Sequence, residues 1–116
     1  MARIELSERP LLGLFGSESA YQTLMFLQNY ERGYASEIAR TYGTSLNQIQ
    51  NQLIKFEELG ILVSRKEGNA RVFYFKRSPV TDSLRRFLKD MLEVIPKSTV
   101  EKFYRERRRP RRFGKK

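Results

Sequence analysis

The stretch that decides the fold is residues 36–62, SEIARTYGTSLNQIQNQLIKFEELGIL. Its first part predicts a short helix that ends at Gly43, because glycine readily adopts the left-handed conformation that closes a helix. Ser45 stands three residues before Gln48, which is the capping-box spacing that starts a new helix. Apolar residues then recur at helical spacing as far as Gly60. Two helices about three residues apart, the second one amphipathic, predict a helix–turn–helix.

The residues that follow predict a β-hairpin and another helix. Residues 61–77, ILVSRKEGNARVFYFKR, contain two β-branched and aromatic runs on either side of Gly68-Asn69. This composition is typical of two strands joined by a tight turn. Pro79 stands where it can begin a helix, and the apolar spacing extends that helix to Ile95.

Further helices are predicted at both ends of the chain. Ser17 can cap a helix that runs to about Asn29, and residues 31–33 are expected to form a turn. Ser98 stands three residues before Glu101, so a second capping box is expected to start a final helix that runs into the C-terminal tail.

This order of elements predicts a mainly α chain with one β-hairpin, an α+β fold of the winged helix–turn–helix type with an extra C-terminal helix. Residues 1–104 are expected to form one domain that includes terminal dimerisation helices. Residues 105–116 are expected to form a separate Arg/Lys-rich tail.

Composition excludes several classes of site. The chain has no cysteine and no histidine, so it lacks disulfides, thiolate or imidazole metal ligands and the usual general base. No apolar run approaches the roughly 20 residues that span a bilayer, and the N-terminus does not resemble a signal peptide. No motif pairs a nucleophile with a base. We therefore expect a cytoplasmic, nucleoid-associated protein that is not an enzyme and carries no cofactor or metal.

The positive charge is concentrated in the tail. Of the formal net charge of +10, residues 105–116 carry +7 and the rest of the chain +3. Arginine at this density favours phosphate, because its planar guanidinium pairs phosphate oxygens bidentately. The tail could be a disordered solubilising end, an arm along DNA or an RNA-binding segment, and composition does not separate these readings. Its basic residues are Arg105, Arg107, Arg108, Arg109, Arg111, Arg112, Lys115 and Lys116.

Residues 36–62, followed by EGNARVFYF at residues 67–75, resemble the ArsR-like winged-helix transcriptional regulators. The resemblance covers about residues 15–77. It implies that helix 45–59 enters the DNA major groove, that hairpin 61–76 contacts the backbone or minor groove as the wing, and that the terminal helices form a homodimer. Many members sense metals or oxidants through cysteine or histidine. This chain has neither, so the resemblance implies DNA binding and dimerisation and leaves the effector unknown.

Four amide side chains are the candidates for reading bases. Asn47 and Asn51 lie opposite the apolar stripe of the second helix, and Gln48 and Gln50 lie beside them. Asparagine and glutamine can pair bidentately with N6 and N7 of adenine in the major groove. The alternative is a polar surface whose residues happen to be uncharged. A solvated face in so charged a chain would favour Lys, Arg and Glu, which are better helix formers than Asn.

The candidates for contact with the DNA backbone lie at the two ends of this helix and around the hairpin tip. A charged hairpin tip is often only a solvated turn, but in a winged helix it lies against phosphates. The candidate residues are Ser45, Lys55, Arg65, Lys66, Asn69 and Arg71.

A homodimer is predicted from two helices. The first helix is apolar around much of its circumference, and the long helix that begins after Pro79 has a wider apolar stripe than one core-facing seam requires. A partner copy would cover the surplus. The predicted interface residues are Leu84, Leu88, Met91 and Ile95.

We therefore expect a homodimeric, sequence-specific transcriptional regulator that binds double-stranded DNA, with no membrane partner and no effector that the sequence identifies. Two other classes remain as alternatives. One is an RNA- or ribosome-associated basic protein that binds through the tail, and the other is a protein–protein adaptor, because winged helices serve that role too.

Overall fold

The computed structural model describes residues 9–104, apart from the side chains of Arg9 and Leu11. Helices over residues 35–42 and 46–58 form a helix–turn–helix, and strands over residues 62–67 and 70–75 form the wing, so the predicted α+β winged helix–turn–helix fold is confirmed. The elements are α1 (Arg9–Phe15), α2 (Glu18–Tyr30), β1 (Arg32–Gly33), α3 (Ala35–Tyr42), α4 (Leu46–Glu58), β2 (Leu62–Glu67), β3 (Ala70–Phe75), α5 (Pro79–Met91) and α6 (Lys97–Phe103).

Helix α2 forms the centre of the core. Ser17 begins it as predicted, because its Oγ accepts a hydrogen bond of 3.1 Å from the backbone N–H of Ala20. Every residue from Ser19 to Leu27 is buried, and α2 packs against α1, α3, α4, α5 and the sheet. Elements of the same chain therefore cover this helix on all sides, so its apolar circumference does not require a partner copy.

A short third strand extends the hairpin into a three-stranded antiparallel sheet. Strand β1 pairs with β3, and the strand order is β1-β3-β2. The sequence predicted only a turn at residues 31–33, because two residues are too few to show strand alternation. Gly33 pairs with Phe73, and a Cβ at Gly33 would lie 2.7 Å from Cε1 of Phe26. The close approach of β1 to the core therefore requires glycine at this position.

Replacing Gly33 with alanine should lower the free energy of unfolding by about 1–3 kcal/mol, the usual cost of forcing an extra carbon into a packed core. Urea unfolding measures the change. Gly13→Ala is the control, because a Cβ there would meet nothing within 4 Å. Gly13 lies in α1, where alanine is favoured over glycine by about 0.5–1 kcal/mol. Equal destabilisation by the two substitutions would contradict the packing of Gly33 on Phe26.

The bounds of the last two helices differ from the prediction. Helix α5 ends at Met91 rather than at Ile95. Beyond that end, the backbone N–H groups of Glu93 and Val94 donate to carbonyl oxygens three residues earlier, which is the tighter turn that is common after a helix. Pro96 is the N-cap of α6, so Ser98 lies inside the first turn and the expected capping box is not what starts the helix. Helix α6 ends at Phe103, with Tyr104 as its C-cap.

Helix α6 folds back onto α2 and α3. The Phe103 and Tyr104 rings pack against Tyr42, with ring centres 5.1 and 6.3 Å away. The Tyr42 hydroxyl donates a hydrogen bond of 2.8 Å to the Tyr104 hydroxyl, and Asn29 Nδ2 donates one of 2.8 Å to the Tyr104 carbonyl oxygen. Burial raises the pKa of Tyr42 well above its usual value, which keeps its hydroxyl protonated as the donor. The chain is therefore fixed beside the end of α3 before the predicted tail, which lies outside the described residues.

Candidate nucleic-acid interface

The turn of the helix–turn–helix is fixed to α2 by a buried amide. Gly43 has a φ of +68° and ends α3 as predicted, and Ser45 Oγ accepts a hydrogen bond of 3.1 Å from the backbone N–H of Gln48 at the start of α4. Between them, Thr44 Oγ1 donates a hydrogen bond of 2.6 Å to Oε1 of Gln22. Gln22 is buried, and a buried amide requires hydrogen-bond partners. This contact therefore holds the start of α4 in place.

Helix α4 separates a buried apolar stripe from an exposed polar surface. Its buried residues are Ile49, Leu53 and Phe56, which confirms the middle of the predicted apolar stripe. Leu46 and Leu59, which the sequence placed at the two ends of that stripe, are exposed. The four predicted base-reading residues are all exposed, and the structure brings them together on the first two turns of the helix. They are Asn47, Gln48, Gln50 and Asn51.

The charge on α4 is confined to its C-terminal part. No residue from 46 to 54 is charged, whereas Lys55, Glu57 and Glu58 follow within four positions. Because carboxylates repel phosphates, the last turn of α4 is unsuited to close contact with a nucleic-acid backbone. The uncharged part of the helix, residues 46–54, is the part that can approach base edges.

The cations predicted on the wing lie on two different faces of the hairpin. Lys66 pairs directly with Arg71 across the strands, and both share the face of Phe73, which packs in the core near α4. Arg65 lies on the opposite face, with its guanidinium carbon 5.4 Å from the ring centre of Tyr74. Lys66 and Arg71 can therefore act together with α4, whereas Arg65 belongs to the outer face of the sheet.

A chain of hydrogen bonds joins the wing to α4. Arg71 Nη1 donates a hydrogen bond of 3.0 Å to Ser64 Oγ, and Ser64 Oγ donates one of 2.7 Å to Glu57 Oε2. The guanidinium is thereby oriented by one nitrogen, and its remaining N–H groups can serve another acceptor such as a phosphate oxygen.

The outer face of the wing is fastened to β1. Glu67 accepts a hydrogen bond from the Tyr74 hydroxyl and forms an ion pair with Arg32. The hydrogen bond from Tyr74 is the main cause that lowers the pKa of Glu67, and the same bond raises the pKa of Tyr74. The role of Arg32 was not predicted from the sequence, because it depends on β1, which was not predicted either.

A groove of about 830 Å³ lies between α4, the start of α3 and the hairpin. It brings together four of the predicted site residues, two from the helix and two from the wing, which are Gln50, Asn51, Asn69 and Arg71. The groove is also lined by Leu46 and Ile54, which are exposed apolar side chains of α4. Neither residue was among the predicted site residues, because both fit the broad apolar content of an amphipathic helix.

The predicted dimer-interface residues do not share one exposed surface. Leu88 is 0% exposed and Ile95 is 5% exposed within a single chain, so neither side chain offers a surface to a partner. Leu84 and Met91 are partly buried against the same core. Leu88 and Ile95 therefore pack in the core of their own chain, whereas the sequence predicted them at the interface with a partner copy.

A metal-binding cluster and a membrane-spanning helix are both absent from the residues that the structure describes. Residues 9–104 contain no group of three or more metal-ligating side chains that could hold a metal ion. They also contain no helix that is long and apolar enough to cross a membrane.

Two solved structures are similar to this chain in fold. A transcriptional regulator of the MarR family from Rhodococcus sp. RHA1 is 19% identical, with a TM-score of 0.54 over 82% of this chain and 74% of that one. The adhesin competence repressor AdcR from Streptococcus pyogenes is 12% identical, with a TM-score of 0.53 over 84% and 77% of the two chains. At these identities the likeness shows the fold alone. Neither neighbour is described as ArsR-like, so that narrower resemblance is not confirmed. Comparisons with protein-family models and with curated proteins found no match.

Proposed function

We propose that the protein is a transcriptional regulator that binds double-stranded DNA sequence-specifically, with the uncharged part of α4, residues 46–54, in the major groove and the hairpin beside it as the wing. The observation that carries the proposal is the uncharged, amide-rich outer surface of α4 next to cations on the hairpin. Phosphate contacts give affinity for any duplex, whereas contacts with base edges give sequence preference. The four amides supply the second kind of contact, and Lys66 and Arg71 supply the first.

The dimensions of the elements support this placement. An α-helix with its side chains is about 10–12 Å wide, and the major groove of B-DNA is about 12 Å wide. Both structural neighbours are named as regulators, which supports a role in transcription for a chain of the same fold. We also propose that the protein is related to the ArsR-like regulators and that it associates with the nucleoid in the cytoplasm.

We further propose a homodimer that forms through α5. Its apolar residues recur at alternating steps of four and three, which is the spacing of a helix–helix seam. Val80 and Phe87 are exposed at 74 and 37%, and the half-buried Leu84 and Met91 complete the row. Val94, which is 56% exposed, follows the end of the helix. A contiguous apolar row of this kind is a surface that a partner covers. Two α4 helices related by such a dimer would bind half-sites about 10 bp apart, or a multiple of that spacing.

Selection of bound duplexes from a random pool tests the proposed function directly. We expect an enriched sequence with A·T pairs at the centre of each half-site, because the amides match adenine. Filter binding of that duplex against structured RNA then separates a DNA regulator from an RNA-associated protein. Equal binding to every duplex in the pool, or tighter binding to RNA, would contradict the proposal.

On the selected duplex, Asn51→Ala should weaken binding by about 1–3 kcal/mol, with little change on random DNA and a nearly unchanged salt slope. Lys66→Ala is the matched comparison. It should weaken binding to both duplexes alike and reduce the salt slope by about one, because it removes a phosphate contact. Affinities of both variants for both duplexes across a salt series measure the difference. If Asn51→Ala weakens binding to the two duplexes equally, the amides form only a polar surface.

A further inference from the structure

Ile54 is a large apolar side chain that α4 leaves half-exposed. Its exposed fraction is 51%, whereas the adjacent Leu53 is 1% exposed and fills the core. The inward stripe of α4 is complete without Ile54, because the helix buries Ile49, Leu53 and Phe56. Packing of the core therefore does not account for an isoleucine at this position.

The neighbours of Ile54 are amides that the proposed function places at base edges. Gln50 and Asn51 lie four and three residues before it, which makes them its neighbours on the helix surface. The same three residues line the groove between α4 and the hairpin. This part of α4 thus presents two amides and one branched apolar group side by side, with no charged residue from Leu46 to Ile54.

The major-groove edge of an A·T pair carries a matching set of groups. Adenine offers the N7 acceptor and the N6 donor, and thymine offers the O4 acceptor and the C5-methyl group. An amide can pair with the two groups of adenine but gains nothing from the methyl group. An isoleucine beside the amide can make the apolar contact with the methyl group that the amide cannot make. Neither guanine nor unmodified cytosine offers a methyl group there.

We infer that Ile54 contacts the C5-methyl group of a thymine close to the adenine that the amides read. This inference rests on the proposed function and deepens it, because α4 then recognises A·T pairs by hydrogen bonding and by apolar contact together. Leu59 is also exposed on the same chain segment, but it follows Glu57 and Glu58 at the end of α4. The carboxylates there disfavour close approach to DNA, so Leu59 is not expected to contribute.

Replacement of single thymines by uracil in the selected duplex tests the inference, because the two bases differ only by the methyl group. With the unmodified protein, one position in each half-site should lose about fourfold in affinity, which corresponds to about 0.8 kcal/mol for one buried methyl-sized group. The Ile54→Ala variant should bind duplexes with uracil and with thymine at that position with equal affinity. Ile54→Val, which keeps a branched side chain, should retain most of the difference.

Leu59→Ala is the matched control, since it removes an exposed apolar side chain near the other end of the helix. It should keep the same fourfold thymine preference as the unmodified protein. Thermal unfolding of each variant checks that the fold is intact. A selected duplex in which no thymine-to-uracil change depends on Ile54 would overturn the inference and leave the proposed function standing. Failure to select any preferred duplex would overturn both.

Discussion

Replacing Phe87 with glutamate should convert a dimer into a folded monomer, whereas replacing its neighbour Leu88 with alanine should destabilise the fold itself. Phe87 is 37% exposed and lies in the proposed seam, so a carboxylate there would face the apolar row of the partner copy. Leu88 is fully buried in the core of one chain. Truncation of a buried leucine to alanine usually costs about 2–5 kcal/mol. The two adjacent residues should therefore give different phenotypes.

Sedimentation at tens of micromolar measures the first effect, and urea unfolding measures the second. Lys89→Glu is the control for the introduced charge. Lys89 is exposed, and its position two residues after Phe87 places it about 200° away around the helix. It should leave the dimer intact. A stable monomer of the unmodified protein under these conditions would rule out the seam, and dissociation by Lys89→Glu would show that the partner covers a different face of α5.

The elements that the sequence predicted well are those with local causes. The N-cap bonds of Ser17 and Ser45 involve backbone groups three residues away, and the left-handed conformation of Gly43 depends on the residue itself. The helix–turn–helix and the hairpin could therefore be located from short-range signals. Gly68, with a φ of +64° at the hairpin turn, belongs to the same class.

Features that depend on distant parts of the chain were missed. Strand β1 exists because Arg32 and Gly33 pair with β3, some forty residues further on, and two residues carry no periodicity of their own. Pro96 is the N-cap of α6, so Ser98 and Glu101 have the spacing of a capping box but do not start the helix. The sequence alone does not show which of these two possible starts the helix uses.

Helix α5 explains why Leu88, which the sequence placed at the dimer interface, is buried within one chain instead. Periodicity identifies a wide apolar stripe, but it does not state which edge of the stripe meets the core. The burial of Thr81 and Leu88 against the core sets the rotation of the helix and leaves Phe87 outside. Arg85 adds a hydrogen bond of 2.9 Å from its Nε to Gln28 Oε1 in α2.

Neutralising the tail should produce the largest change in affinity for DNA of any alteration considered for this protein. Residues 105–116 carry eight basic residues and one acid. They follow Tyr104, which Asn29 and Tyr42 hold beside the end of α3, so the tail begins close to the helix–turn–helix. Twelve residues can extend by at most about 40 Å, which is enough to reach phosphates beyond those that we propose for the wing.

Glutamine at all eight basic positions keeps the length of the tail and leaves the anchor at Tyr104 untouched. Removing one phosphate contact should flatten the slope of log K against log salt by about 0.9, so removing eight would change it by about 7. Binding to every duplex should weaken, while the sequence preference stays, because phosphate contacts carry no sequence information. Titrations of selected and random duplexes across a salt series measure both quantities. Loss of the preference would mean that the tail reads bases, through the minor groove. An unchanged slope on DNA, combined with loss of binding to structured RNA, would instead assign the tail to RNA and leave α4 and the wing as the whole of the DNA-binding surface.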